Sequence, residues 1–503
     1  MESRMNPLTI FLTGAGGVMG GAALEIFMAD KKHKQNQFVV LDLPTKANKK
    51  KLTPYLKYPN VKIIWGDLSR YEDTLQAVNG TDYILHAAAV IPPAADFDPD
   101  LAERVNVGAV RNILRAIKQQ PYPDRVKLVN IGSVAETGDR MPPIHVGRTG
   151  DPIYPSIYDV YATTKIEAER LVAESGLRRW VSLRQTFILI NNVNPVPIMY
   201  HMPLQTCFEA ISRQDAGRVL VHIVDPDLPD SFWRKFYNIG GGETMRSNYY
   251  TFIKRSMEAA GLDLEKIQDR SWFALQNFHC QWFEDSDLLE TFLNFRTYSL
   301  DQYFEDLSSS ISPIVKLAAK ILPGSWIKHF TFRPAAEKRV DSPLQWIRTN
   351  PLRTAAFYKT RQHYEEIPSW DEGTFSLPAS GEYIRLDHGY DETKPVEELD
   401  LADMQQAAVF RGGKCLSSSM MKGDIHHKLE WECCFGHTFE MAPNTVLFGG
   451  HWCPECSPPA WNYAAEARMN PFLAQVWNVH HERSEKTIYP LECMYDLKNT
   501  PGK

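Results

Sequence analysis

Thr9-Ile10-Phe11-Leu12-Thr13-Gly14-Ala15-Gly16-Gly17-Val18-Met19-Gly20-Gly21-Ala22-Ala23-Leu24 is the stretch that decides the fold. A short apolar strand runs into a glycine-rich turn and then a helix, with Gly14, Gly17 and Gly20 three apart at the junction. Missing side chains there allow a tight turn and let an anion such as a pyrophosphate approach the helix amides. The same turn can also serve merely to pack a helix on a strand, so its surroundings matter. Apolar runs recur at Leu8 to Leu12, Phe38 to Leu41, Val61 to Trp65, Tyr83 to Leu85, Lys127 to Ile131 and Val181 to Leu183. Separated by segments long enough for a helix, they predict βαβ units in a doubly wound parallel sheet of the α/β class.

The second run ends at Asp42, twenty-two residues beyond Gly20. A carboxylate there can accept hydrogen bonds from adenosine ribose hydroxyls and repels an extra phosphate, so NAD is favoured over NADP. Lys46, Lys49, Lys50 and Lys51 follow and read as a solvated charge run, although one of them could pair with such a phosphate.

The whole chain has 503 residues, which suggests two to four domains. Its formal charge of −6 gives no general attraction to nucleic acid, so no nucleic-acid partner is expected. With 44% hydrophobic and 23% charged residues it reads as folded, with no stretch suited to a membrane span. Met1 to Pro7 run straight into a strand without a leader pattern, and a cytoplasmic location is expected.

Residues 1–300 read as one unit, a cofactor-binding core over about 7–190 and a smaller lobe over about 191–300 with a turn at Gly240-Gly241-Gly242. Residues 301–400 read as a connecting segment, mostly helical or irregular. Within it, Ile314, Leu317, Ala318, Ile321 and Leu322 fall at helical spacing between Lys316, Lys320 and Lys328. Packing of this helix on the main domain is expected, with a membrane surface as the lesser alternative. Residues 401–503 form a cysteine-rich module and tail.

Tyr161 and Lys165 are four apart, on one face of a helix. A free phenol is a poor base at neutral pH, but a neighbouring ammonium would stabilise the phenolate and lower its pKa. Tyr161 could then take a proton from an alcohol as hydride leaves its carbon, or return one to a carbonyl. Ser133, at the end of the fifth run, would donate a hydrogen bond to the substrate oxygen.

With these residues in place, the chain resembles the extended short-chain dehydrogenase/reductase superfamily of epimerases, dehydratases and hydroxysteroid dehydrogenases, over roughly residues 7 to 300. The marks are Thr13-Gly14-x-x-Gly17-x-x-Gly20, Gly66-Asp67-Leu68, His86-Ala87-Ala88-Ala89, Val105-Asn106-Val107, Ile131-Gly132-Ser133, Tyr161-Ala162-Thr163-Thr164-Lys165 and Leu183-Arg184. The resemblance implies a Rossmann sheet and a homodimer. It implies NAD held by Gly14, Gly17, Val18, Met19, Gly20, Asp42, Asp67, Leu68, Ala87, Ala88, Ala89, Tyr161 and Lys165. Ser133, Tyr161 and Lys165 would be catalytic, with Asn106 supporting the helix and its water chain.

Two departures narrow the reaction. Family dehydratases carry Thr-Asp-Glu where this chain has Ser133-Val134-Ala135, so dehydration is disfavoured. Sugar-nucleotide epimerases of the family usually place asparagine where this chain has Phe187, which suggests a more apolar substrate. An NAD-dependent oxidoreductase acting on a secondary alcohol or ketone is the leading expectation, with an NAD-retaining epimerase second and a dinucleotide-binding sensor third. Val134, Tyr158, Phe187 and Pro195 to Met202 are candidate walls for the substrate.

The cysteine-rich stretch contains Trp431-Glu432-Cys433-Cys434-Phe435-Gly436-His437 and Gly450-His451-Trp452-Cys453-Pro454-Glu455-Cys456. Cys433 with His437, and Cys453 with Cys456, across strand-like Thr438 to Phe448, predict a structural zinc clamped between two turns. Cys415, Cys434 and His451 are rival ligands. The stretch resembles zinc-ribbon or treble-clef modules. Four cations against five carboxylates in residues 411–460 give it no basic face for nucleic acid.

Overall fold

The computed structural model describes residues 7–224, 228–371, 375–379, 381–456 and 462–499. The leading residues Met1 to Asn6, read above for a leader, lie outside them.

Seven strands form the central sheet: β1 (Thr9–Thr13), β2 (Gln37–Asp42), β3 (Val61–Trp65), β4 (Tyr83–His86), β5 (Lys127–Ser133), β6 (Trp180–Gln185) and β7 (Lys235–Ile239). Their spatial order is β3-β2-β1-β4-β5-β6-β7, and every pairing is parallel. The doubly wound α/β class expected from the apolar runs is the one observed. The chain reverses direction across the sheet between β1 and β4, and ligands of open α/β sheets bind in the crevice at that point.

The strands are apolar throughout because both faces are covered. Ile10 and Leu12 of β1 enter one core with Val40, Leu85, Val129 and Leu183, while Phe11 enters the other with Leu41, Ile84 and Leu128. Helix α1 (Val18–Ala29) packs on α4 (Arg213–His222), where Gly217 brings the two backbones together: a Cβ at Gly217 would lie 2.7 Å from that of Ala22. Helix α2 (Gly108–Lys118) connects toward β5 directly after the turn that holds Asn106, and α3 (Val160–Ala173) carries Tyr161, Lys165 and Glu169. Strand β7 was not anticipated. Its sequence, Lys235-Phe236-Tyr237-Asn238-Ile239, is polar at two of five positions, yet Asn238 is buried and donates to Asp285.

The rest of the chain packs against this core in two aromatic clusters and a small sheet. Aromatic residues of the lobe and of α5 (Leu300–Ser310) form one cluster, including Tyr200, Phe252, Tyr303 and Phe304. A second joins Tyr154, Ile157 and Tyr158 to Trp346, Phe357, Tyr463, Trp477 and Tyr489, so the 301–400 segment and the tail cover the approach to α3. The cysteine-rich stretch forms a three-stranded antiparallel sheet, β8 (Lys414–Cys415), β9 (Leu429–Glu432) and β10 (Thr438–Met441). Beyond Met441 the strand expected as far as Phe448 gives way to a wide helical turn over Asn444–Phe448.

Helix α6 (Pro313–Ile321) forms where the spacing predicted it, but it buries none of its residues. It rests near Gly261 through the backbone of Lys316 and the Ala319 methyl. Its apolar stripe points the other way, contrary to the expected packing on the main domain. Among the described residues no helix is long and apolar enough to cross a membrane.

Candidate active site and metal cluster

The glycine turn sits at the β1/β4 crevice and closes on it. Gly14 has φ +70°, and a Cβ there would lie 2.8 Å from the carbonyl carbon of Ala87 and the nitrogen of Ala88. A Cβ on Gly20 would lie 2.4 Å from the Gly14 carbonyl oxygen, so only glycine lets α1 start this close to the turn. Gly17 caps α1, leaving the first-turn amides of Val18 and Met19 without helical partners and free to meet an anion. Thr13 Oγ1 accepts from the Ala88 amide and meets Nδ1 of buried His86, locking β1 to the Ala87–Ala89 stretch.

Asp42 stands beside the turn. It accepts from the amides of Gly16 (3.0 Å) and Leu43 (2.9 Å) and from Asn48 Nδ2 (2.7 Å). Burial holds its pKa above the usual carboxylate value. Lys51 is not merely solvated: its ammonium donates to the Gly16 carbonyl at 2.6 Å. Asp67 caps the turn after β3 through the Ser69 amide, and Leu68 is buried behind it.

Ser133 ends β5, its hydroxyl accepts from the Ala135 amide at 3.2 Å, and it stands near enough to Tyr161 on α3 to draw that phenol's pKa down. Burial pushes the Tyr161 phenol above its ordinary pKa, Glu136 and Asp159 push the same way, and the nearby Ser133 hydroxyl opposes them. The lowering by Lys165 expected from the four-residue spacing is not among these influences. Lys165 is instead buried, with its pKa brought down to about 8 by desolvation against the opposing pull of Glu136 and Glu169. Asn106 is buried, exchanges two hydrogen bonds with Val90 (2.7 and 3.0 Å) and donates to Thr164 on α3 (2.9 Å), so it ties the loop after β4 to the helix.

Sequence reading missed the charge network under this pair. Ser133 and Glu136 form a capping box, with the Ser133 amide donating to Glu136 at 2.7 Å. Glu169, one turn beyond Lys165, accepts from Arg184 Nη2 (2.6 Å) and Ser182 Oγ (2.7 Å). Arg184 also lies 3.5 Å from Glu136, and all three charged side chains are fully buried. Arg184 keeps Glu169 well below the usual carboxylate range, whereas burial and the Glu169 charge push Glu136 up. A side chain at Gly132 would strike Glu136, which explains the glycine in Ile131-Gly132-Ser133. The pattern Ser-x-x-Glu after β5 and a carboxylate four residues past Lys165 were the available signals.

A second unanticipated group is Asp96, on the short helical turn Ala94–Phe97. Burial, with Asp159, Asp341 and Asp496 nearby, raises its pKa to about 8 against the pull of Arg353. Arg353 is itself committed to Asp496 through two hydrogen bonds, and its guanidinium lies over the Tyr158 ring. Tyr158 is thereby buried under the added segment. Because the folded-state pKa of Asp96 exceeds the unfolded one, its stabilising contribution is present at acid pH and is lost as pH rises toward 8. Asp96→Asn should therefore flatten the fall in Tm between pH 5 and pH 8 and raise Tm at pH 8, as thermal melts across that range will show.

Phe187 and Ile190 follow β6, Ile91 follows β4, and Val196 lies in the Pro195 to Met202 stretch; all four are exposed. Val134 is buried, while Phe187 stands edge-on to Phe208 and Phe252.

The four cysteine-stretch ligands come together. Ligand atoms of Cys433, His437, Cys453 and Cys456 all lie within 4.8 Å of one another. Cys456 Sγ is 3.5 Å from Cys433 Sγ and 3.5 Å from His437 Nδ1, and Cys453 Sγ is 3.6 Å from that nitrogen. Tetrahedral zinc bonds would separate such atoms by about 3.6–3.8 Å, so the donor set fits that ion. Cys415, Cys434 and His451 stand outside the cluster. His451 turns to the core, where its Nε2 lies 3.0 Å from Glu169 Oε1.

Residues 10–185 match the model of a family described as "NAD dependent epimerase/dehydratase family". That span holds the glycine turn, Ser133, Tyr161 and Lys165. Curated relatives include a UDP-glucose 4-epimerase of Rickettsia bellii, 29% identical over 109 residues, and one of Rickettsia felis, 32% identical over 111 residues. Each alignment takes in 22% of this chain, and the chain spans about a third of the length of those relatives. Among solved structures, a dTDP-glucose 4,6-dehydratase from Streptomyces venezuelae with NAD and TYD bound aligns with a TM-score of 0.49 at 18% identity. The alignment covers 60% of this chain and 96% of that one.

Proposed function

We propose that this chain is an NAD-dependent oxidoreductase acting on a secondary alcohol or ketone, with Tyr161 as its acid/base. The observation that carries the reading is the meeting of Ser133, at the C-terminal end of β5, with Tyr161 at the start of α3 and buried Lys165 one helical turn along. NAD, when bound, supplies the hydride acceptor or donor. Gly14, Gly17, Val18, Met19 and Gly20 would receive its pyrophosphate, and Asp42 the adenosine ribose. Asp67 and Leu68 would border the adenine, Ala87, Ala88 and Ala89 would line its path, and Lys165 would hold the ribose nearer the reacting ring.

Ser133 donates a hydrogen bond to the substrate oxygen and steadies its developing charge, while Tyr161 gives or takes the proton at that oxygen. A phenol raised by burial keeps its proton at neutral pH, which suits donation to a carbonyl and so the reductive direction. Exposed Ile91, Phe187, Ile190 and Val196 support an apolar substrate. Zinc on Cys433, His437, Cys453 and Cys456 would have no open coordination position and would serve structure alone.

The test is a panel of secondary alcohols and ketones read by NADH absorbance. A substrate-dependent net change in NADH is expected. The second reading, favoured by the named relatives, is an epimerase that oxidises its substrate transiently: it would give an inverted product with NADH unchanged.

A further inference from the structure

The apolar stripe of α6 faces solvent, and the next turn continues it. Ile314 is 79% exposed, Leu317 58%, Ile321 70%, Trp326 61% and Phe330 68%. Isolated exposed apolar residues need no explanation, but a contiguous patch of this kind marks a binding surface. The helix has been laid down with its small and polar side inward. The Lys316 carbonyl and the Ala319 methyl approach Gly261, while Ile314, Leu317 and Ile321, at i, i+3 and i+7, form the opposite face.

Charge names the partner. No Asp or Glu occurs between Asp306 and Glu337, whereas Lys316, Lys320, Lys328 and Arg333 do, in a chain whose net charge is −6. Lys316 donates to Ser308 Oγ, Lys328 pairs with Asp269 and Arg333 with Glu337, so these cations are held at the base and flanks of the patch. Lys320 is exposed beside Ile321. A second copy of this chain would set these cations against their own images. An apolar face of Ile, Leu, Trp and Phe with flanking lysines is the composition of a helix lying in the headgroup region of an anionic bilayer.

We propose that residues 313–330 dock this protein on an anionic phospholipid surface, the apolar side chains entering the headgroup and acyl boundary and exposed Lys320 meeting lipid phosphates and carboxylates. This does not depend on the proposed reaction.

Co-sedimentation of the full chain with phosphatidylcholine vesicles, with and without phosphatidylserine, tests it. Binding to the serine-containing vesicles is expected, at least about tenfold weaker with phosphatidylcholine alone and falling with salt. Ile314→Glu/Ile321→Glu should abolish it while leaving the melting temperature unchanged, since both side chains are exposed. Lys320→Glu should weaken it. Absence of binding to anionic vesicles overturns the proposal, as does full binding by the double variant. A wild-type oligomer that the double variant dissociates in sedimentation also overturns it, by making the patch a contact between copies.

Discussion

Tyr161→Phe should lower turnover by on the order of 10²- to 10⁴-fold while leaving NAD affinity within the range of the unaltered protein. The substitution removes one hydroxyl and keeps the ring, so the packing of α3 is preserved and the glycine turn is untouched. What is lost is the phenol proton, which burial keeps in place beside Ser133 at the end of β5. Equilibrium binding of NAD followed by fluorescence quenching, alongside steady-state rates on any substrate found active, separates the two quantities. Loss of turnover with binding intact fits an acid/base role. Unchanged turnover would move the chemistry elsewhere, and Asp96 would be the next group to test, since it lies beside Asp159 at the start of the same helix. The Ser133→Ala variant should follow the same pattern with a smaller loss, because a hydrogen-bond donor is removed and the proton is not.

Sheet and site differ in how far sequence reading reaches them. The first six strands are legible because strands covered on both faces carry runs of apolar residues with little to interrupt them. Strand β7 escapes because Asn238 and Lys235 break its run, and only the tertiary partner Asp285 explains a buried asparagine there. Glycine spacing gives the turn, yet the reason for Gly14, its approach to Ala87 and Ala88, is visible only once β4 lies beside β1. The Tyr161 and Lys165 spacing places both residues on one helix face but says nothing of Glu136 and Glu169, which reach Lys165 from a different turn and from the next turn of α3. Nor does it show that the Tyr161 phenol is buried, and burial above all, with Glu136 and Asp159 pushing the same way, is why the phenol shifts upward, opposite to the expectation. In α6 the periodicity fixes the amphipathic face and leaves its direction open, because a helix with small residues opposite its apolar stripe can pack on either side. The cysteine pairs are legible for a different reason: a tetrahedral site demands short spacings that few other arrangements use.

Removing metal with a chelator should lower the melting temperature sharply and cost activity as well, with both restored by added zinc. Structural zinc sites contribute on the order of 10 kcal/mol to the fold of small modules, comparable with the whole stability of a domain. Here the loss would not stay within the module. His451 stands two residues before Cys453 and reaches Glu169, and the neighbouring Gly449 carbonyl accepts from Arg184 at 2.5 Å. Those contacts close the top of a sealed network in which Arg184 balances Glu169 and Glu136, and Glu136 in turn holds the Ser133 amide. When one partner of a buried ion pair is lost, about 3–5 kcal/mol goes with it, because the remaining charge has no solvent to turn to. Slackening of the loop over Gly449 and His451 admits water to Glu169, loosens Arg184 and frees Glu136 to shift Ser133 away from Tyr161. His451→Ala separates the links: it should retain bound zinc, measured by metal analysis, yet lose part of the melting temperature and of the turnover. Arg184→Met should be the most damaging of the series, since it strands two buried carboxyls at once. A chelated protein that melted as before would show that the cluster stands apart from the sheet.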